Sequence, residues 1–201
     1  MSVFRMFLIV IFILLSTGSV FAQGDILKKG ESGFGAGYYC QNIEKSANAS
    51  GIVMGYSPKG RIDYGATFIF MQSEPSLGIN VVGHLIKSSE SITKLGIALL
   101  GSLELISGDS DAAYSYGVVF YSNLILSKGF YFQPSLHVAN IVLDGKASVL
   151  TYGGGPQLFL EIQKKTLLNF GFSYSGSQKG SLKGVGRSNL SLSIIHRYNS
   201  N

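Results

Sequence analysis

The chain has no tryptophan, one cysteine, four prolines and few charges, and each shortage removes a class of protein. A lone cysteine, Cys40, rules out an internal disulfide scaffold. With that cysteine and three scattered histidines, His84, His137 and His196, no metal-ligand spacing can be drawn, and no metal or other cofactor is expected. Charged residues are 13% of the chain, against about 25% in ordinary soluble domains. The net charge of +5 comes without a basic run, so no nucleic-acid footprint is present. Beyond residue 22 no stretch approaches the roughly 20 apolar residues of a membrane-spanning helix. Any interfacial aromatic belt must be built from tyrosine and phenylalanine.

The first 22 residues have the three parts of a secretory signal peptide. Arg5 supplies the positive charge, Met6 to Leu15 the apolar run, and Val20-Phe21-Ala22 the small residues at the −3 and −1 positions of a cleavage site before Gln23. The apolar run breaks at Ser16 and is too short for a membrane anchor. The expected organisation is a leader, 1–22, followed by one domain, 23–201, whose net charge falls to +4 once Arg5 is lost.

What the chain does contain is period-2 alternation, the mark of a strand with one apolar face. Leu168, Phe170, Phe172 and Tyr174 alternate with Asn169, Gly171, Ser173 and Ser175. Ile62, Tyr64, Ala66, Phe68 and Phe70 alternate with Asp63, Gly65, Thr67 and Ile69. The same holds near Phe34–Gln41, Gly51–Tyr56, Leu77–Leu85, Leu95–Leu105, Tyr114–Leu126, Phe130–Val138, Gln157–Gln163 and Leu190–Tyr198. Turn residues separate the runs, among them Ser57-Pro58-Lys59-Gly60, Ser127-Lys128-Gly129 and Lys164-Lys165. About ten strands of roughly 6 to 13 residues result, without a helix or an internal domain boundary.

The second face decides the fold class. It is mostly glycine, serine, alanine, asparagine and glutamine, while the charges gather at the turns. Such a face suits the interior of a narrow barrel, and the aromatic face suits lipid. The expected fold is all-β, a closed antiparallel up-and-down transmembrane barrel of about ten strands. An even strand number puts both termini on the periplasmic side. The two longest links, Ala139 to Pro156 and Gly176 to Arg187, are then expected outside the cell.

On these strands, the leader and the last run from Leu190 to Tyr198, the chain resembles the small outer-membrane β-barrel proteins of Gram-negative-type bacteria. The resemblance implies residence in the outer membrane of a diderm bacterium, with its lipid and the barrel-assembly machinery as partners. In that family the last strand usually ends on an aromatic residue, whereas here Tyr198 is followed by Asn199, Ser200 and Asn201.

Catalytic patterns are weak. The His-x-Ser pair of barrel-type lipid A deacylases is missing, since the residues two places after the histidines are Ile86, Ala139 and Tyr198. Asp109 and Asp111, at an expected outer rim, have no nearby histidine, unlike the Asp–His pair of omptin-type proteases. Tyr152-Gly-Gly-Gly-Pro156 lacks the lysine and helix of a phosphate loop, and is expected to be a kink or bulge in a curved sheet. Asp63, Glu104, Glu161 and Arg197 are the charges expected to face the lumen, as a salt-bridged plug or as a selectivity ring. The favoured function is a non-enzymatic outer-membrane barrel with a structural, surface-interaction or narrow-transport role. The competing one is a secreted soluble β-barrel that binds a small apolar ligand among inward aromatics.

Overall fold

The computed structural model describes residues 26–27, 31–43, 48–70, 75–88, 91, 93–106, 112–143, 147–177 and 186–199. The leader and its cleavage position, the Asp109–Asp111 reversal, the Asp144-Gly145 turn and most of the Gly176–Arg187 link lie outside these residues.

Eleven antiparallel strands run in sequence: β1 (Glu31–Ile43), β2 (Ala49–Ser57), β3 (Ile62–Phe70), β4 (Ser76–Ile86), β5 (Leu95–Ile106), β6 (Ala112–Ser122), β7 (Leu124–Ser127), β8 (Phe130–Leu143), β9 (Ala147–Gln163), β10 (Thr166–Ser177) and β11 (Gly186–Asn199). Each pairs with its neighbour in sequence, apart from β6 and β7. The sheet closes where β1 meets β11, with Tyr38 opposite Leu192, and where β6 meets β8, with Val118 opposite Val138. Because β7 continues β6 after Asn123 along the same neighbour, eleven strands form ten staves. Closure leaves no open edge around the ring, the condition a sheet must meet in hydrocarbon.

Alternation carries straight into burial. Along β2 and β3 every second residue is buried, and those between face outward. Ile69 is fully buried while its neighbours Phe68 and Phe70 stand outside with their rings edge to face. Phe170, Phe172 and Tyr174 likewise point out, and Asn169 and Ser175 point in. Phe34, Tyr38, Tyr64, Tyr114, Tyr116, Phe120 and Tyr152 continue the outward band around the barrel. A soluble barrel with its aromatics inside is therefore not what this sequence builds.

The interior is more apolar than its glycine- and serine-rich pattern implied. Val82, Ala98, Leu100, Val119, Tyr121 and Ala139 form one packed cluster. Ile26, Phe159, Leu167 and Ile195 form a second, with Leu27 also buried. A lumen this narrow is filled by side chains and packs as a core. Gly96 shows the tightness: a Cβ there would overlap the Tyr121 ring on the next stave.

Three local expectations change. Ala139 to Pro156 is not a long link, because β8 and β9 extend through it and only 144–146 separate them. Gly153 to Pro156 is neither kinked nor bulged, since the β8–β9 register is continuous there. The glycines serve close approach instead; a Cβ on Gly155 would collide with the Phe172 carbonyl oxygen. Finally, Leu124, Ile125 and Leu126 are all exposed, so alternation lapses in β7. The lapse follows a gap in the ladder opposite Pro134, which has no N–H to give to the facing strand.

Gly96→Val should overpack the lumen at Tyr121 and cost about 1–3 kcal/mol. Urea titration of the protein folded into vesicles measures it, with Gly101→Val, where a Cβ meets open space, as the control.

Candidate functional site: the barrel lumen

Every charge expected inside stands on the lumen face. Asp63 and Glu104 are each 1% exposed and Arg197 is 4% exposed, while Glu161 is partly open at the end of β9. They do not form one ring. They belong to separate groups at different heights, and the topology explains each grouping.

The end that carries both termini holds most of them. Asp63 begins β3 and His84 ends β4, two adjacent antiparallel staves, so they meet across the hairpin. His84 Nε2 lies 3.0 Å from Asp63 Oδ2, and Nδ1 lies 2.7 Å from the Tyr121 hydroxyl. That hydroxyl also lies 3.3 Å from the Ile86 carbonyl oxygen. Both ring nitrogens are thus engaged, and the group is buried. An Asp–His pair does exist, with the Tyr121 hydroxyl on its other ring nitrogen, and all three side chains are buried away from the mouths. It also sits at the opposite end from the outer rim at which Asp109 and Asp111 are expected.

At the same end Arg197 of β11 donates from Nη2 to Glu161 Oε2 at 3.0 Å and to the Lys164 carbonyl oxygen at 3.1 Å. The β9–β10 turn thus carries both acceptors, which holds the guanidinium inward. Lys87, 2% exposed, donates to the Leu27 carbonyl oxygen at 3.0 Å. Ile26 and Leu27 therefore pack into this mouth, tied by a lysine and seated on Phe159, Leu167 and Ile195. Toward the other end, the Ser76 hydroxyl donates to Glu104 Oε1 at 2.6 Å. Between the two levels, Asn169 donates to Gln157 at 3.3 Å and Asn189 donates to the Ser173 hydroxyl at 3.1 Å.

Strand parity places His84, Tyr121 and the four charges inside. It does not tell that Tyr121 completes the Asp63–His84 group, because 37 residues separate it from His84. The one local signal is Gly96, directly opposite Tyr121 in the register, where a missing side chain leaves room for the ring. Inward Lys87 and the Ile26–Leu27 stopper carried no sequence signal. Among the described residues no cluster of three or more His, Cys, Asp or Glu could hold a metal ion.

Glu161→Ala strips the counter-charge from buried Arg197 and should cost about 2–3 kcal/mol, below the loss for a fully buried pair because Glu161 is partly open. Adding Arg197→Met should recover more than half of that loss in the same urea titration.

No protein-family model matches the chain, and no curated protein does. Solved structures do. The chain is similar to the β domain of the Bordetella autotransporter BrkA, with a TM-score of 0.50 at 10% identity over 85% of this chain and 100% of that one. It is also similar to an outer membrane channel from Pseudomonas putida F1, at 0.48 and 11% over 86% and 97%. A third likeness is to the outer membrane protease OmpT from Escherichia coli, at 0.41 and 8% over 84% and 96%. At 10% identity the likeness to the autotransporter β domain shows the fold alone. The chain has the fold of bacterial outer-membrane β-barrel proteins.

Proposed function

We propose that this protein is a non-enzymatic integral barrel of a bacterial outer membrane, its lumen plugged by side chains, with a structural or surface-interaction role and at most narrow passage of solutes. The observation that carries the reading is the outward band of large apolar side chains, which includes Phe34, Tyr64, Phe120, Phe170 and Leu192, on a closed sheet. Exposed apolar surface on this scale is unstable in water and stable in hydrocarbon. The leader at 1–22, cut near Ala22, supplies the export route, and barrel-assembly machinery the insertion step.

A plugged lumen is favoured over a selectivity ring by the pairing of its charges. Arg197 pairs with Glu161, Asp63 is hydrogen-bonded to His84 and Glu104 to Ser76, so the charges are held by neighbours instead of lining a path. Ile26 and Leu27 add an apolar stopper at the periplasmic mouth. Against catalysis stands the burial of the Asp63–His84–Tyr121 group, which leaves a substrate no access to it. The even number of staves leaves both termini in the periplasm.

Cells expressing the full chain should yield it in the outer-membrane fraction, resistant to urea extraction, with a gel mobility that shifts on boiling. A fluorophore at position 170 should be quenched by lipid-phase quenchers; recovery in the soluble periplasm with no quenching would overturn the membrane reading. In planar bilayers the wild type should carry no steady open-channel current, and deletion of residues 23–27 should raise conductance. A large steady conductance in the wild type would exclude the plug.

A further inference from the structure

Two of the four prolines face each other across the wall, Pro134 in β8 and Pro156 in β9. Neither has an N–H, so this rung cannot be a hydrogen-bonded one, and each ring nitrogen faces away from the other. Pro134 then faces Ser122, and Pro156 faces Phe172. The ladder is missing at both places. The β6–β8 pairing stops at Tyr121 opposite Ser135 and resumes only at Leu124 opposite Phe132. The Asn123 N–H, on the side away from β8, donates to the Ser88 hydroxyl at 2.9 Å. On the other side, the β9–β10 pairing lacks its rungs between Gly171–Gln157 and Tyr174–Gly154, although the register does not change. The β8–β9 panel is therefore paired within itself and lacks two rungs on each flank at one height.

Each seam has a space beside it. Outside, a groove of about 630 Å³ runs past Leu95, Phe120, Phe132 and Leu136 and reaches Tyr121, whose side chain belongs to the lumen. Inside, a cavity of about 20 Å³ touches His137, Gln157 and Asn189 and reaches Phe172, whose ring belongs to the lipid face. Ser135, Gly154 and Gly155 line both spaces, so a single backbone separates them. Asn189 is 7% exposed, yet its Oδ1 has no hydrogen-bond partner, and neither has His137 Nε2. Buried polar atoms are ordinarily paired, so two unpaired ones on one cavity call for a hydrogen-bonding occupant, a water or a ligand group.

We propose that this panel is a lateral portal for a single-chain lipid of the fatty-acid class, the acyl chain lying in the outer groove and a protonated carboxyl head in the lumen, its O–H donating to Asn189 Oδ1 and its carbonyl oxygen accepting from His137 Nε2–H. The inference rests on the chain being a membrane barrel. The groove opens onto the lipid face, where hydrocarbon is the solvent, so an acyl chain is its natural filling. The cavity has room for little more than a water-sized group, which fits a carboxyl head and excludes a phosphate or sugar. With both prolines lacking an N–H, the seams can part with fewer ladder bonds to break than elsewhere in the wall.

The test is a fatty acid carrying a diazirine beside its carboxyl group, added to the full mature chain in vesicles, irradiated, and mapped by peptide mass spectrometry. The wild type should show saturable adducts on lumen-facing residues of β8, β9 and β11. Pro134→Ala/Pro156→Ala restores both donors and should leave about tenfold fewer lumenal adducts. Asn189→Leu leaves the ladder intact, so it should lower lumenal adducts while those at Leu136 in the groove persist; it keeps the test open if the proline double variant does not fold. Adducts confined to lipid-facing residues in the wild type, or lumenal adducts undiminished in the folded variants, would overturn the portal. Failure of the barrel reading is separately visible, as loss of the heat-dependent mobility shift.

Discussion

Backbone amides and carbonyls that cross hydrocarbon have no water to bond to, and the rest of this structure depends on that constraint. It forces the sheet to close, which the pairing of β1 with β11 and of β6 with β8 achieves. Closure makes one face of every strand a lumen face and the other a lipid face. The alternation of Phe170 with Asn169, or of Phe68 with Ile69, is the side-chain consequence.

The same constraint gives the proline positions their weight. In a soluble sheet a proline is placed at an edge, where its missing donor faces water. A barrel has no such edge. Pro134 and Pro156 leave their gaps in the wall itself, and the break between β6 and β7 and the lapsed rungs between β9 and β10 are the visible result. Beside those gaps lie the glycines that let backbones approach closely, Gly153 to Gly155, so the thinnest and least tied part of the wall coincides.

The interior obeys another limit. A narrow lumen cannot hold bulk water around each polar side chain, so its charged groups are held by close neighbours. Asp63 finds His84 and Tyr121; Arg197 finds Glu161 and a turn carbonyl; Glu104 finds Ser76. Apolar clusters fill the spaces between, and Ile26 and Leu27 fold back to close one mouth. The likeness to an autotransporter β domain concerns the fold alone.

Strand parity is local information, and it sufficed for the fold class, for the stave count and for which way Asp63, Glu104, Glu161 and Arg197 point. A period of two needs only neighbours a few residues apart, and the scarcity of charge told which solvent the apolar face meets. Loop chemistry misled in one place: the Gly-Gly-Gly-Pro run and the Asp144-Gly145 turn read as a long link, but ladder bonds to β8 on one side held the segment extended as β9. Partnership was not legible. Tyr121 and His84 are 37 residues apart, and their meeting depends on the register and stagger of β4, β5 and β6. Nor could the sequence tell that its two strand prolines would stand face to face, with a cavity on one side of the wall and a groove on the other. By itself the sequence determined the two faces of each strand, because side-chain direction is set by the backbone pleat. Only the tertiary structure decided which side chains meet across the lumen and where the wall is weakest, because those depend on pairings between strands distant in the chain.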